Sequence, residues 1–141
     1  METVKQIILC VTGTLAFAIT MQAPKKSMYL ITIGGLITAS TERFITKEYN
    51  DFIACGTAML FLFIYCEITS RITKQPTTVI LIPSTIPLLP GSAIYYTMLY
   101  AIQGNKELMV NYAKSTLLAG LGIALGAVIG TTLAKIFSFK N

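Results

Sequence analysis

Long apolar runs divided by short polar stretches organise this chain, in place of the helix-period or strand-period alternation of a soluble domain. The first run covers 4–21 and is closed by Pro24-Lys25-Lys26, a helix stop followed by two cations placed for the phosphates. The second covers 28–45, with its strongly apolar part ending near Ala39 and Glu42-Arg43 in its last turn. The third, 52–68, is dense in large apolar side chains from Leu60 to Tyr65 and is close to one bilayer crossing in length. A short loop with Arg71 and Lys74 leads into the fourth, 77–102, and the last span is placed at 115–137. Starting that span at Leu108 would carry Lys114 into hydrocarbon, so 104–114 reads as an interfacial connector. The pattern predicts an all-α fold: one polytopic membrane helix bundle of about five transmembrane helices, with the fourth broken at a Pro-Gly motif.

That break is the most specific local feature. Residues 83 to 91 read Pro-Ser-Thr-Ile-Pro-Leu-Leu-Pro-Gly, three prolines and a glycine inside an uncharged stretch. Each proline removes a backbone donor and crowds the preceding turn, so no helix runs unbroken from Thr77 through Pro90. In lipid the freed groups cost several kcal/mol each, and a break persists only where protein, water or a ligand completes them. Counting along the segment puts Pro90 and Gly91 near its midpoint, and hence near mid-depth, with Ser92 as an N-cap. The half-helix that follows would turn unpaired N–H groups and a positive dipole end toward a carboxylate. Ser84, Thr85, Tyr95, Tyr96 and Thr97 add hydroxyls. The alternative is a structural kink satisfied by neighbouring helices. Arg43 is the other binding candidate; a cation in the last turn of a membrane helix either snorkels to the headgroups or faces a polar pathway. Glu42 and Glu67 are candidates for proton coupling, though both fall near predicted interfaces.

Small residues mark the packing faces. Gly122, Gly126 and Gly130 recur every four residues in the last span, with Ala134 continuing the row, a pattern that lets a second backbone approach closely. The partner could belong to this chain, a second copy or another subunit. Gly13, Thr14 and Ala18, and Gly34, Gly35 and Thr38, form shorter faces of the same kind.

Composition narrows the functional classes. Of 141 residues only 12% are charged and 54% are apolar, against about a quarter charged in a soluble domain, so no second, soluble core fits. The net charge of +5 is spread singly or in pairs at the ends of apolar runs, which fits topology and a lipid bilayer, not nucleic acid. Five crossings put six cations (Lys25, Lys26, Arg71, Lys74, Lys135, Lys140) on the C-terminal side and five (Lys5, Arg43, Lys47, Lys106, Lys114) opposite, favouring a cytoplasmic C-terminus by that one cation. Ala16-Phe17-Ala18 resembles a cleavage site, but the apolar run continues through Met21 and reads as a first membrane helix. Cys10, Cys55 and Cys66 lack metal or redox spacing and histidine is absent. No metal or cofactor is expected. No acid, base or nucleophile arrangement is recognisable either, so catalytic residues are none and an enzyme is not expected.

The stretch Ile82-Pro83-Ser84-Thr85-Ile86-Pro87-Leu88-Leu89-Pro90-Gly91-Ser92-Ala93-Ile94-Tyr95 resembles the signature of the threonine/serine exporter family, in which apolar residues lead into a proline, two apolar residues, Pro-Gly and a tyrosine-bearing helix. Pro87, Pro90, Gly91 and Tyr95 carry the match; a second span ending in a basic residue, here Arg43, and a glycine-rich last helix follow the family order. Length and the lack of a soluble domain look like the smaller component of the family's split form, similar to the small subunit of the bacterial succinate exporter pair. The resemblance implies a larger membrane subunit as partner, a bacterial inner membrane location, and proton-driven export of small carboxylates, either threonine and serine or a dicarboxylate such as succinate. Two rival readings stand beside it: a structural or assembly subunit whose break is a packing device, and a small homo-oligomeric channel built on the Gly122 row.

Overall fold

A computed structural model describes residues 2–46 and 48–138, with side chains from Lys5 to Ile136 apart from Lys47; the expected topogenic cations Lys47 and Lys140 therefore lie outside the described residues. Among these residues the secondary structure is helical: α1 (Glu2–Thr20), α2 (Met28–Thr46), α3 (Asp51–Thr73), α4 (Thr77–Ser84), α5 (Gly91–Ile102) and α6 (Lys106–Ser138), with single 3-10 turns at Lys25–Ser27 and Ile86–Leu88. The polytopic helical bundle expected from the apolar runs is the observed fold.

Local chemistry ends the helices where the sequence changes. After α1, Gln22 takes the left-handed conformation (φ 53°) and the Ala23 N–H reaches back to the Ala18 carbonyl at 3.0 Å, the six-residue closure that precedes Pro24. Lys74 takes the left-handed conformation after α3 as well, at φ 54°. Between α5 and α6 the left-handed position is Gly104 (φ 74°), where a side chain would be strained, and the Asn105 side chain accepts the Leu108 N–H at 3.3 Å to cap α6.

Packing fixes the order of the helices. The α3 helix lies between α2 and α6, while α1 and α4 both pack on α2. The Asp51 carboxylate takes a hydrogen bond from the Ser115 hydroxyl, Gly56 faces Gly122 and Gly126, and Phe63 faces Gly130, so α3 and α6 run in the same direction. Thr14 against Gly35 and Gln6 against Arg43 set α1 antiparallel to α2. A core of Ile31, Ala58, Leu62, Cys66 and Ile80, each fully buried, joins α2, α3 and α4. The rest of each helix presents large apolar side chains outward, as an element surrounded by lipid does.

Two features refine the linear reading. Residues 106–114 are helical and continuous with the last span, giving α6 33 residues, or about 50 Å against a hydrocarbon core of about 30 Å. Because Ser115 sits beside the first residue of α3, that extra stretch projects past the bundle, where α5 pairs with it. By length and apolarity α3 and α6 each suffice to cross a membrane, and the α4–α5 segment adds a third crossing if its two parts, bent by 47°, form one span; α1 is apolar but shorter.

Candidate functional site

The proline-rich break divides into a buried half and an open half. Pro83, in the last turn of α4, removes the N–H that would bond the Val79 carbonyl, and the helix ends one residue later at Ser84, which is fully buried against α2. A continuing helix would pair the Ser84 carbonyl with the Leu88 N–H. The 3-10 turn forced around Pro87 diverts that donor to the Thr85 carbonyl at 2.9 Å. The stranded Ser84 carbonyl accepts instead from the Thr38 hydroxyl of α2 at 3.1 Å, and the Ser84 hydroxyl donates to the Ile31 carbonyl at 3.2 Å. Thr85 returns its hydroxyl to the Leu81 carbonyl at 2.7 Å. No buried side-chain polar atom among the described residues lacks a partner, and for the Ser84 carbonyl α2 supplies what lipid would not. Glycine makes the contact feasible: a Cβ on Gly34 would stand 2.5 Å from the Ser84 Oγ.

The open half begins at Pro90, the residue preceding α5, where no side chain caps the helix. This corrects the expected role of Ser92: it is the second residue of α5, not its N-cap, because the helix already starts at Gly91. Gly91, Ser92 and Tyr95 are exposed, and Pro87 and Pro90 are half-buried. A Cβ at Gly91 would meet nothing within 4 Å, and its backbone lies outside the left-handed region. Tyr95 stands edge-on to Tyr96 at 5.4 Å between centroids; Tyr96 and Tyr100 close on Tyr112 of α6 at 5.2 and 5.6 Å. Tyrosine pairs of this kind hold α5 on α6 while α5 itself has no fully buried residue.

Depth also differs from a midpoint count. Ser84, opposite Gly34 and Leu62, marks mid-height of the bundle, whereas α5 stacks on Tyr112, three residues before the Ser115 that binds Asp51 at the start of α3. Pro90 and Gly91 thus lie toward the Asp51 end. The physical reason is that the break opens at Ser84, early in the segment, and the bend carries α5 out along the projecting part of α6.

Arg43 is not gathered into this cluster: its guanidinium donates to the Gln6 side chain of α1. The Gly122, Gly126 and Gly130 row faces α3, where Cβ atoms would meet the Phe52 and Gly56 carbonyls and the Phe63 ring. Glu67 accepts from Arg71 at 3.0 Å and weakly from Thr77 at 3.4 Å at the opposite end of the bundle. Surface grooves of 360 and 290 Å³ flank the α3–α6 seam, and one of 240 Å³ lies between the α1–α2 turn and α4; Pro90 to Tyr96 line none of these. No group of metal-ligating side chains occurs among the described residues. Thr38 was legible only as part of a small-residue face. Its spacing of four from Gly34 was the signal that it shares the helix face on which a second backbone arrives.

The family model described as Threonine/Serine exporter, ThrE, matches residues 6–133. No curated protein and no solved structure matches the chain.

Proposed function

The chain belongs to the threonine/serine exporter family, and from that membership we propose that it forms one membrane half of a two-component, proton-driven secondary exporter of small carboxylates in a bacterial inner membrane. Its role in membrane transport of the threonine/serine exporter type follows from the family; the division of labour and the substrate are the proposal. In this reading five crossings form one membrane domain, the larger membrane subunit covers α5 and the outer face of α6, and the substrate, threonine, serine or a dicarboxylate such as succinate, meets the break from its open side.

The observation that carries the reading is Gly91. Nothing inside the chain requires glycine there, neither space nor a positive φ, yet it sits in the Pro-Gly motif beside the uncapped first turn of α5. A small residue at an open helix end lets a ligand or a partner backbone come close. Pro87 and Pro90 hold the end in place, while Ser84, Thr85, Ser92, Tyr95 and Tyr96 line successive levels of the path. Arg43, tied to Gln6, closes the α1–α2 side.

The test is purification of the tagged chain from its membranes, identification of co-purifying subunits, and efflux assays in proteoliposomes with threonine, serine and succinate. A Cβ at position 91 meets nothing within 4 Å in the chain, so the result expected of Gly91→Leu is intact assembly with transport abolished. Unaltered efflux in Gly91→Leu would remove the break from the substrate path. Loss of efflux only alongside loss of the complex would favour an assembly subunit. A homo-oligomeric channel would have used the Gly122 row as its seam, and α3 already occupies that row.

A further inference from the structure

Thr38 carries one hydroxyl proton and has two acceptors: the Gly34 carbonyl of its own helix, which is the nearer, and the Ser84 carbonyl across the α2–α4 contact at 3.1 Å. The second bond across this contact runs from the Ser84 hydroxyl to the Ile31 carbonyl at 3.2 Å, an acceptor that already lies within the backbone ladder of α2. Separation of α4 from α2 therefore orphans neither hydroxyl. Thr38 keeps Gly34, and Ser84 can turn to the Ile80 carbonyl one turn back, as Thr85 does to Leu81 at 2.7 Å. What separation does leave without its partner is the Ser84 carbonyl, because the Leu88 N–H that a straight helix would offer is committed to Thr85.

We propose that Thr38 is a positioning residue for transport: its shared hydroxyl latches the buried half of the break to α2, and release of the latch presents the Ser84 carbonyl to water or to a donor on the substrate, such as an ammonium or hydroxyl group. The inference rests on the exporter reading for its purpose, but the opening itself is a property of the chain. Mid-height is where such an acceptor is useful, since unwound carbonyls in broken membrane helices serve as ligand and ion sites. Gly34 gives the latch its close approach, and both hydroxyls are fully buried when it is shut.

The test reads the opening without transport. In membranes carrying the assembled protein, Ser84→Cys is labelled with N-ethylmaleimide, and the native Cys66, fully buried in the same core, is the internal standard. Expected is slow labelling at position 84 above that of Cys66, roughly tenfold faster when Thr38→Val is added, the factor for loss of one ordinary hydrogen bond from the closed state. Thr38→Ser, which retains the donor, restores the slow rate. Should the cysteine variant not accumulate, Leu88→Cys, at a buried side chain of the same break, gives the same comparison. Labelling no faster than Cys66, or a rate unaltered by Thr38→Val, overturns the latch. Efflux is measured separately: absence of threonine and serine transport by the unmodified complex counts against the exporter reading, while the labelling result still decides whether the contact opens.

Discussion

The glycine-mediated contacts at the α3–α6 seam and at the α2–α4 contact differ in what meets the glycine. Along the α3–α6 seam, Gly122 and Gly126 admit the backbone carbonyls of Phe52 and Gly56, so main chain lies against main chain with no hydroxyl between them. At the α2–α4 contact, Gly34 admits the Ser84 side chain, and the bonds that result are made by hydroxyls with other acceptors within reach. The first seam has no second arrangement at similar cost, because separating it exchanges close backbone contact for lipid. The second does. Close packing alone thus does not distinguish a fixed joint from a movable one; the distinction lies in whether the groups at the contact can be satisfied after it opens.

The comparison breaks most visibly at the fixed seam. A Cβ at Gly126 would stand 2.5 Å from the Gly56 carbonyl and 2.9 Å from the Met59 Cβ, and neither can rotate away. Gly126→Leu forces the helices apart at a cost above the usual overpacking range of about 1–3 kcal/mol. The expected outcome is loss of a monodisperse species in detergent, read by size-exclusion chromatography. Gly130→Ala meets the Phe63 side chain, at 2.7 Å from Cγ and 2.8 Å from Cβ, but no backbone carbonyl, and is expected to fall at the upper end of that range. Equal tolerance of leucine at Gly126 and alanine at Gly130 would show that the seam is not set by backbone contact.

Gly34→Ala comes next in size and addresses the movable contact. The added methyl displaces Ser84 by a few tenths of an ångström or more and weakens both hydroxyl bonds, a loss of about 1–2 kcal/mol. Assembly survives, because α3 and α6 are untouched, while efflux falls by more than the stability loss predicts. A thermal shift with full efflux would make α2–α4 a second fixed joint.

Much of this architecture was legible because lipid imposes simple rules. Apolar runs of bilayer length gave the helices, Pro24 and the cations after it gave the first turn, and Pro83 to Gly91 gave the break. Three things were not legible. The helical state of 106–114 escaped because Lys114 limits where hydrocarbon can lie but not where a helix can start. The height of Pro90 and Gly91 escaped because a midpoint count assumes a straight path, and the 47° bend follows from Tyr96 and Tyr100 closing on Tyr112, contacts distant in sequence. The part played by Thr38 escaped because a threonine in an apolar run ordinarily returns its hydroxyl to its own helix, and only the arrival of α4 supplies the second acceptor.

The tie between Asp51 and Ser115 closes the fixed seam at one end. Ser115→Ala removes a donor from a carboxylate that is half-buried at the bundle's rim, where water replaces the lost bond in part. The expected destabilisation is about 1 kcal/mol, measured as a denaturant midpoint in detergent, with efflux unchanged. A greater loss in efflux than in stability would mean that the α3–α6 seam moves during transport and that the contrast with α2–α4 fails.

The smallest effect is expected at Glu67. Its carboxylate meets Arg71 at 3.0 Å in an i, i+4 pair, with Arg71 42% exposed, and the Thr77 hydroxyl at a weak 3.4 Å. Solvent screening leaves such a pair worth about 0.5 kcal/mol or less, and Glu67→Gln keeps an acceptor for both partners. Stability in Glu67→Gln is therefore expected to match the parent, and the proton-gradient dependence proposed for efflux to be retained. Glu67 is also a carboxylate that could carry a proton, and the two roles separate cleanly. If the glutamine variant still exchanges substrate across the membrane but no longer responds to the proton gradient, Glu67 titrates in the transport cycle. The moving part of the chain would then extend from the α2–α4 latch to the far end of α3.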